Sequence, residues 1–240
     1  MTISSEQKNK AIIFDYGATL DTNGIHWYNI FFTEYNKLYP DLNDELLREA
    51  YVFTERELSK KDYILPFFNF KDTLSIKIKM QCEYLYNNLF EDYFSNMLIE
   101  NCYNIALKST YKSITLLSEL RKNYKLAIVS NFYGNLKAVL SDFSLLEYFD
   151  VIIESADVNI SKPNPEIFQL AINKLGLTAK ECIVVGDSYN KDIVPSKTIG
   201  CKTIWLDGKG WDDNPIYHPC ADKVITSIDE LNVLFNKTNI

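Results

Sequence analysis

Histidine is almost absent from this sequence. His26 and His218 are the only two in 240 residues, too few for a zinc site of the usual His/Cys kind to be readily assembled. Cysteine is sparse as well: Cys82, Cys102, Cys182, Cys201 and Cys220 are odd in number and include no CxxC pair. Cys182 and Cys201 lie in or beside strand-like runs, which points to buried reduced thiols in place of ligands or nucleophiles. No apolar run approaches the ~18 residues of a membrane span. The opening segment, MTISSEQKNK, lacks the apolar stretch of a signal peptide, so a cytoplasmic location away from membranes is expected. Positive charge is short too: 25 Lys and Arg against 32 Asp and Glu leave a formal net charge of −7. No basic cluster is followed by aromatic residues, which argues against DNA or RNA as the main partner. A metal here is expected to be a hard cation held by carboxylates.

What the chain does have is a core-forming composition, 47% hydrophobic and 24% charged. Its length suits one domain, or a core carrying an insertion. The organising stretch is Ala11 to Thr22, AIIFDYGATLDT. Four apolar residues run into Asp15, as in a parallel strand buried on both faces, although periodicity alone leaves a buried helix open. Asp15 either opens a turn or stands at the carboxyl edge of a sheet, where open α/β sheets bind ligands.

From Asp21 onward the strand-like signals stop. Leu46, Ala50 and Phe53, and Leu47 with Leu58, recur at helical spacing, behind an N-cap offered by Asp41-Leu-Asn-Asp. Leu74 to Phe94 is helical in pattern and dense in Tyr and Phe. Residues from about Gly24 to Ser109 therefore read as a helical insertion with aromatics forming its own small core, and lining a substrate site second. From Ser113 helices and strands alternate. Ile114, Leu117 and Leu120 form a helix face; Leu126 to Val129 is a strand ending in Ser130-Asn131; a helix follows around Leu136, Val139 and Leu140; Phe149 to Ile153 is the next strand. In SKPNPEIF, Asn164 offers a cap and Pro165 a first helical turn, for a helix showing Ile167, Ala171 and Leu175 and stopped by Gly176. Strands at Cys182 to Val185, Thr203 to Leu206 and, more weakly, Val224-Ile225 complete the pattern, before a helix with Ser227 and Glu230 as capping box. This alternation implies βαβ units and a parallel sheet.

Four stretches then fall on one sheet edge: Asp15, Ser130-Asn131, Lys162, and Asp187 with Asp192. Each has a bland reading as a turn, a solvated lysine or a helix-start carboxylate. Together they describe phosphoryl chemistry. Clustered carboxylates repel, and a divalent cation keeps them ionised. Mg²⁺ takes one or two carboxylates, keeps waters and shares a phosphate. Ser130 and Asn131 would donate to phosphate oxygens, Lys162 would neutralise them, and Asp15 would attack phosphorus to give an aspartyl-phosphate.

These stretches resemble the motifs of the haloacid dehalogenase superfamily of hydrolases. FDYGATLD looks like the first motif, VSN the second, Lys162 in SKPNPEIF the third and GDSYNKD the fourth, in order and spacing over about residues 10–22 and 110–230. The resemblance implies a Rossmann-like α/β core with helices on both faces, residues 1–22 and 110–240, and a small helical cap over 23–109. It also implies Mg²⁺ dependence and phosphatase activity on a small phosphorylated metabolite. By position, Asp15 is nucleophile and metal ligand, the Gly17 carbonyl and Asp187 are further ligands, and Asp192 supports the metal and its water.

One position departs. Two residues after the nucleophile the phosphatases carry a second Asp, the general acid, and here stands Gly17. A positioned acid–base group is worth ~10²–10⁴ in rate. The reading is therefore a phosphatase restricted to good leaving groups such as acyl or aryl phosphates. Asp21, His26 or a cap residue are possible substitutes, and Lys60 and Lys61 are ordinary surface charges unless used as in the phosphonatases. A dehalogenase would also dispense with the acid, but it needs no metal, whereas Gly186-Asp187 is kept. A phosphate- or metabolite-binding protein without turnover is the remaining alternative.

Overall fold

The computed structural model describes residues 9–60, 63–86, 92–211 and 220–236; Lys61 and His218 lie outside them. β1 (Ala11–Phe14) is followed by four helices, α1 (Trp27–Leu38), α2 (Asp44–Leu58), α3 (Phe70–Tyr86) and α4 (Asp92–Leu120). Then come β2 (Lys125–Ser130), α5 (Leu136–Asp142), β3 (Val151–Glu154), α6 (Ser155–Val158), α7 (Glu166–Leu175) and β4 (Cys182–Gly186). A π-helical turn (Tyr189–Ile193) leads to α8 (Val194–Thr198), β5 (Lys202–Leu206), β6 (Lys223–Ile225) and α9 (Glu230–Asn236).

The strands form one parallel sheet in the order β3-β2-β1-β4-β5-β6. β1 is central, with Ile12 opposite Leu126 on one side and Ile183 on the other. Because side chains alternate across a strand, the unbroken apolar runs feed two cores. Ile12, Phe14, Leu126, Ile128 and Val185 face Leu117 and Leu120 of α4, Val139 and Leu140 of α5, and Leu231 of α9. Ala11, Ile13, Val129 and Val184 face Ile167, Phe168, Ala171 and Leu175 of α7. Each such side chain contributes about 1.5–3 kcal/mol when fully buried, and helices on both faces are what a parallel sheet requires.

The chain winds from β1 to β3 on one side and from β4 to β6 on the other. The order reverses between β1 and β4, and there the loops part to open a crevice at the carboxyl ends of the strands. That topology sets the position of the site.

Local signals act much as expected. Asn43 Oδ1 caps α2 by accepting from Leu46 N at 3.0 Å. Asn164 Oδ1 accepts from Glu166 N at 3.0 Å, with Pro165 one residue outside the first turn of α7 rather than in it. Gly176 closes α7 at φ 70°, a left-handed conformation that suits glycine. Glu230 accepts from Ser227 N at 3.1 Å ahead of α9. Two features differ. The buried face of α2 is Leu47, Ala50, Tyr51, Thr54 and Leu58, while Phe53 is exposed and packs against Tyr84 at a ring separation of 5.1 Å. And α4 is one continuous helix, so the expected boundary between residues 109 and 110 falls inside it. Ser109 and Ser113 there both donate to the Leu20 carbonyl, at 3.2 and 3.1 Å. Cys82, Cys102, Cys182 and Cys201 are free and buried, and Cys220 is free and exposed. No helix among the described residues is long and apolar enough to cross a membrane.

Candidate active site

The loop after β1 turns tightly. Asp15 N still donates to the Val185 carbonyl of β4, at 2.9 Å, and Ala18 then adopts a left-handed φ of 63°. This leaves the Asp15 carboxylate, only 7% exposed, at the end of the strand. After β4, Gly186 and Asp187 leave the sheet beside it, and the π-helical turn carries Asp192 back underneath. One carboxylate oxygen from each of Asp15, Asp187 and Asp192 lies within 4.8 Å of the others.

Lys162 reaches this cluster from the segment before α7. Its Nζ lies 2.6 Å from Asp15 Oδ1 and 2.6 Å from Asp192 Oδ1, all three side chains being buried. Burial opposes the ammonium charge, but the two carboxylates more than offset it and raise the lysine pKa above its usual value. The carboxyls respond in the opposite sense. Burial, then Asp15 and Asp192, push Asp187 well above the usual aspartate range. Asp192 is pushed up to about 6, by burial first and with Lys162 pulling the other way. Three carboxyls sharing one lysine are short of positive charge. A cluster of hard oxygen donors with that deficit fits a hard divalent cation.

Ser130, 2% exposed at the end of β2, lines the same cleft, and its hydroxyl bonds no other side chain or backbone group among the described residues. Asn131 does something not expected of it. Its Nδ2 donates to the Lys162 carbonyl at 3.0 Å and its Oδ1 accepts from Lys162 N at 2.8 Å. The reason is geometric: the loops after β2 and before α7 run side by side, and the amide pairs with the main chain it meets. Asn131 thus holds Lys162 in place, with one amide hydrogen left over. Beneath, Glu154 accepts from Gly134 N and from Leu136 N, which fixes the loop that follows Ser130.

Two site residues were not legible as such. Thr19 Oγ1 lies 3.0 Å from Asp187 Oδ1 and 3.4 Å from Asp15 Oδ2, and accepts from Asp187 N at 3.1 Å. Trp205 Nε1 of β5 donates to the Asp187 carbonyl at 2.8 Å. Thr19 sits four residues past Asp15, so its place in the first motif was a usable signal; nothing near Trp205 marked it.

Gly17 lines the cleft, and a Cβ built on it meets nothing within 4 Å. Asp21 also lines the cleft, but both its oxygens are taken: Oδ1 by Ala18 N at 2.6 Å and Oδ2 by Trp27 Nε1 at 2.8 Å. Burial raises its pKa to about 7 despite those bonds. His26 caps α1, with Nδ1 accepting from Tyr28 N at 3.2 Å, and burial lowers its pKa to about 4, leaving it neutral at pH 7. Lys60 is exposed and pairs with Glu57 at 2.9 Å, a surface charge as expected.

The cleft encloses about 840 Å³, between the strand ends on one side and α1, α2 and α3 on the other. That is the size of a small-molecule site.

The family described as haloacid dehalogenase-like hydrolase matches residues 12–206. A zebrafish (Danio rerio) relative, haloacid dehalogenase-like hydrolase domain-containing protein 3, is 34% identical over 123 residues, covering 51% of this chain and 48% of its own length. The chain thus spans about half the length of that curated relative. The crystal structure of a dehalogenase with an intermediate complex superposes with a TM-score of 0.65 at 20% identity, over 95% of this chain and 97% of that one; at that identity the likeness is one of fold. A HAD phosphatase from Thermococcus onnurineus superposes with a TM-score of 0.54 at 26% identity, over 94% and 97%. With the strand order, the four motifs and the family match in agreement, the chain belongs to the haloacid dehalogenase-like hydrolases.

Proposed function

We propose that this chain is a Mg²⁺-dependent phosphatase of a small phosphorylated metabolite, with Asp15 as nucleophile. One observation carries the reading: the Asp15 carboxylate is buried at a sheet edge, held by Lys162 Nζ at 2.6 Å, within a three-carboxylate cluster that opens on a cleft. Asp15, Asp187, Asp192 and the Gly17 carbonyl would hold Mg²⁺, which supplies neutralisation of phosphate charge. Ser130 donates to a phosphate oxygen, and Lys162 orients Asp15 and neutralises the phosphate. Asn131 keeps Lys162 in register. Residues 1–22 and 110–240 serve as the core, and 23–109 as the cap that faces the substrate. The likeness to a solved HAD phosphatase supports this reading.

The test is turnover of p-nitrophenyl phosphate with Mg²⁺, with EDTA, and by Asp15→Asn. Turnover that stops in EDTA and in Asp15→Asn is the expected result. Undiminished turnover by Asp15→Asn would remove Asp15 from the mechanism. A second reading, a binding protein without turnover, is favoured by the empty position at Gly17. It requires Mg²⁺-linked phosphate binding, seen as a higher melting temperature, with no product formed.

A further inference from the structure

We infer that the leaving group accepted by this cleft is an aromatic ring, so that the substrate is the phosphate monoester of a phenol-type hydroxyl. The inference rests on the reading that Asp15 attacks phosphorus, and it concerns the rest of the cleft lining.

That lining is rich in rings. Trp27 of α1, Tyr51 of α2, Phe70 of α3, Phe132 and Tyr133 after β2, and Trp211 all line the cleft. They form three tilted pairs, with ring centroids 5.3 Å apart for Trp27 and Phe70, 5.5 Å for Tyr51 and Trp211, and 5.0 Å for Phe132 and Tyr133. Rings at such separations and angles favour a further ring joining by face or edge.

The lining's charge is spent on itself. Lys77 of α3 pairs with Glu55 Oε1 of α2 at 2.7 Å, and the Tyr133 hydroxyl donates to the other Glu55 oxygen. The Lys77 ammonium also sits 4.8 Å from the Tyr133 ring centroid. A neutral ring leaves this arrangement intact. Arg56, also on the cleft, is exposed at its edge.

The chemistry selects the same class. Gly17 presents no acid, and Asp21 has both oxygens engaged by N–H donors. A departing alkoxide needs a proton, since its parent alcohol is about as weak an acid as water. A phenol, with a pKa near 10 as in tyrosine, leaves as its anion far more readily. In the first step the Asp15 oxygen bonds to phosphorus and the phosphorus–oxygen bond to the ring breaks, the electron pair leaving with the phenolate. In the second, water bonds to phosphorus, the bond to Asp15 breaks to regenerate the carboxylate, and hydrogen phosphate forms. The proton released from water is taken up by the phenolate in solution.

Binding separates this from the underlying reading. Phenylphosphonate and propylphosphonate carry a carbon–phosphorus bond in place of the ester and are titrated calorimetrically into the native chain with Mg²⁺. Phenylphosphonate should bind about tenfold tighter, the scale of an aromatic contact beyond area burial. Tyr51→Leu and Phe132→Leu should each erode that preference while leaving inorganic phosphate affinity within twofold. Equal affinity for the two phosphonates overturns the inference, whatever the variants do. So does a preference that survives both substitutions. If instead neither phosphonate nor inorganic phosphate binds, and the native chain does not turn over p-nitrophenyl phosphate, the phosphatase reading itself has failed.

Discussion

The carboxylate of Asp192 fills the space in which Gly186 would carry a side chain. An ideal Cβ on Gly186 lies 2.5 Å from both Cγ and Oδ2 of Asp192, closer than real atoms approach. The glycine before the fourth motif's aspartate is therefore required by a neighbour, and not by its own backbone conformation.

Gly186→Ala should accordingly displace Asp192, which loses its bonds to Lys162 Nζ at 2.6 Å and Ser188 N at 3.0 Å. Mg²⁺ affinity should fall about 10–100-fold, as for loss of a partner supporting a metal site. Titrating Mg²⁺ against melting temperature reads this directly. An unchanged midpoint would mean that Asp192 is not part of the metal site.

Mg²⁺ itself should stabilise the chain. The raised carboxyl pKa values of Asp187 and Asp192 record repulsion and burial in the metal-free cluster. At a concentration 100 times its dissociation constant, a ligand bound only by the folded state adds about 2.7 kcal/mol. Asp187→Asn should raise the metal-free melting temperature by removing a carboxyl that is costly to ionise among its neighbours, and should abolish most of the Mg²⁺ increment. Calorimetry with and without EDTA gives both numbers.

Asp21 links stability to pH. Burial raises its pKa from 3.8 to about 7, so between about pH 4 and pH 7 the folded chain binds more protons than the unfolded one. Stability then falls as pH rises through that window and levels off above it. His26 slopes the other way: its folded pKa of about 4 lies below the unfolded 6.5, so its contribution is lost as pH falls from 6.5 towards 4. Asp21→Asn removes only the first slope. The melting-temperature difference between the native chain and Asp21→Asn should change monotonically from pH 4 to 7 in favour of the variant; a constant difference contradicts the buried acid.

Gly17→Asp should arm the site. An added Cβ meets nothing within 4 Å, so the substitution introduces an acid without a clash. Hydrolysis of alkyl phosphates should rise by ~10²–10⁴, the usual worth of a positioned acid–base group, while p-nitrophenyl phosphate, whose leaving group needs no proton, should change little. An equal effect on both classes would show that protonation of the leaving group is not what the native site lacks.

Much of this protein was written locally. The apolar runs at Ala11 to Phe14 and Cys182 to Val185 are short, continuous and stopped by polar residues. They declare buried parallel strands because a strand with both faces covered has no polar face to show. Asp15, Ser130, Lys162 and Asp187 could be placed on one edge from the same pattern, since parallel strands end together. Asn43, Asn164 and Gly176 act within a few residues of where they stand, so their roles depend on little beyond the local chain. The tertiary structure decided whatever joins distant segments. Asn131 is paired with the main chain of Lys162, 31 positions away. Thr19 bonds Asp187 only because β1 and β4 are neighbours in the sheet. Phe53 lies outside, against the ring of Tyr84 from another helix, and six rings from five segments line one cleft. Periodicity reports which face of an element is apolar. Which partner that face meets depends on strand order and crossover path, and those are settled by the fold as a whole.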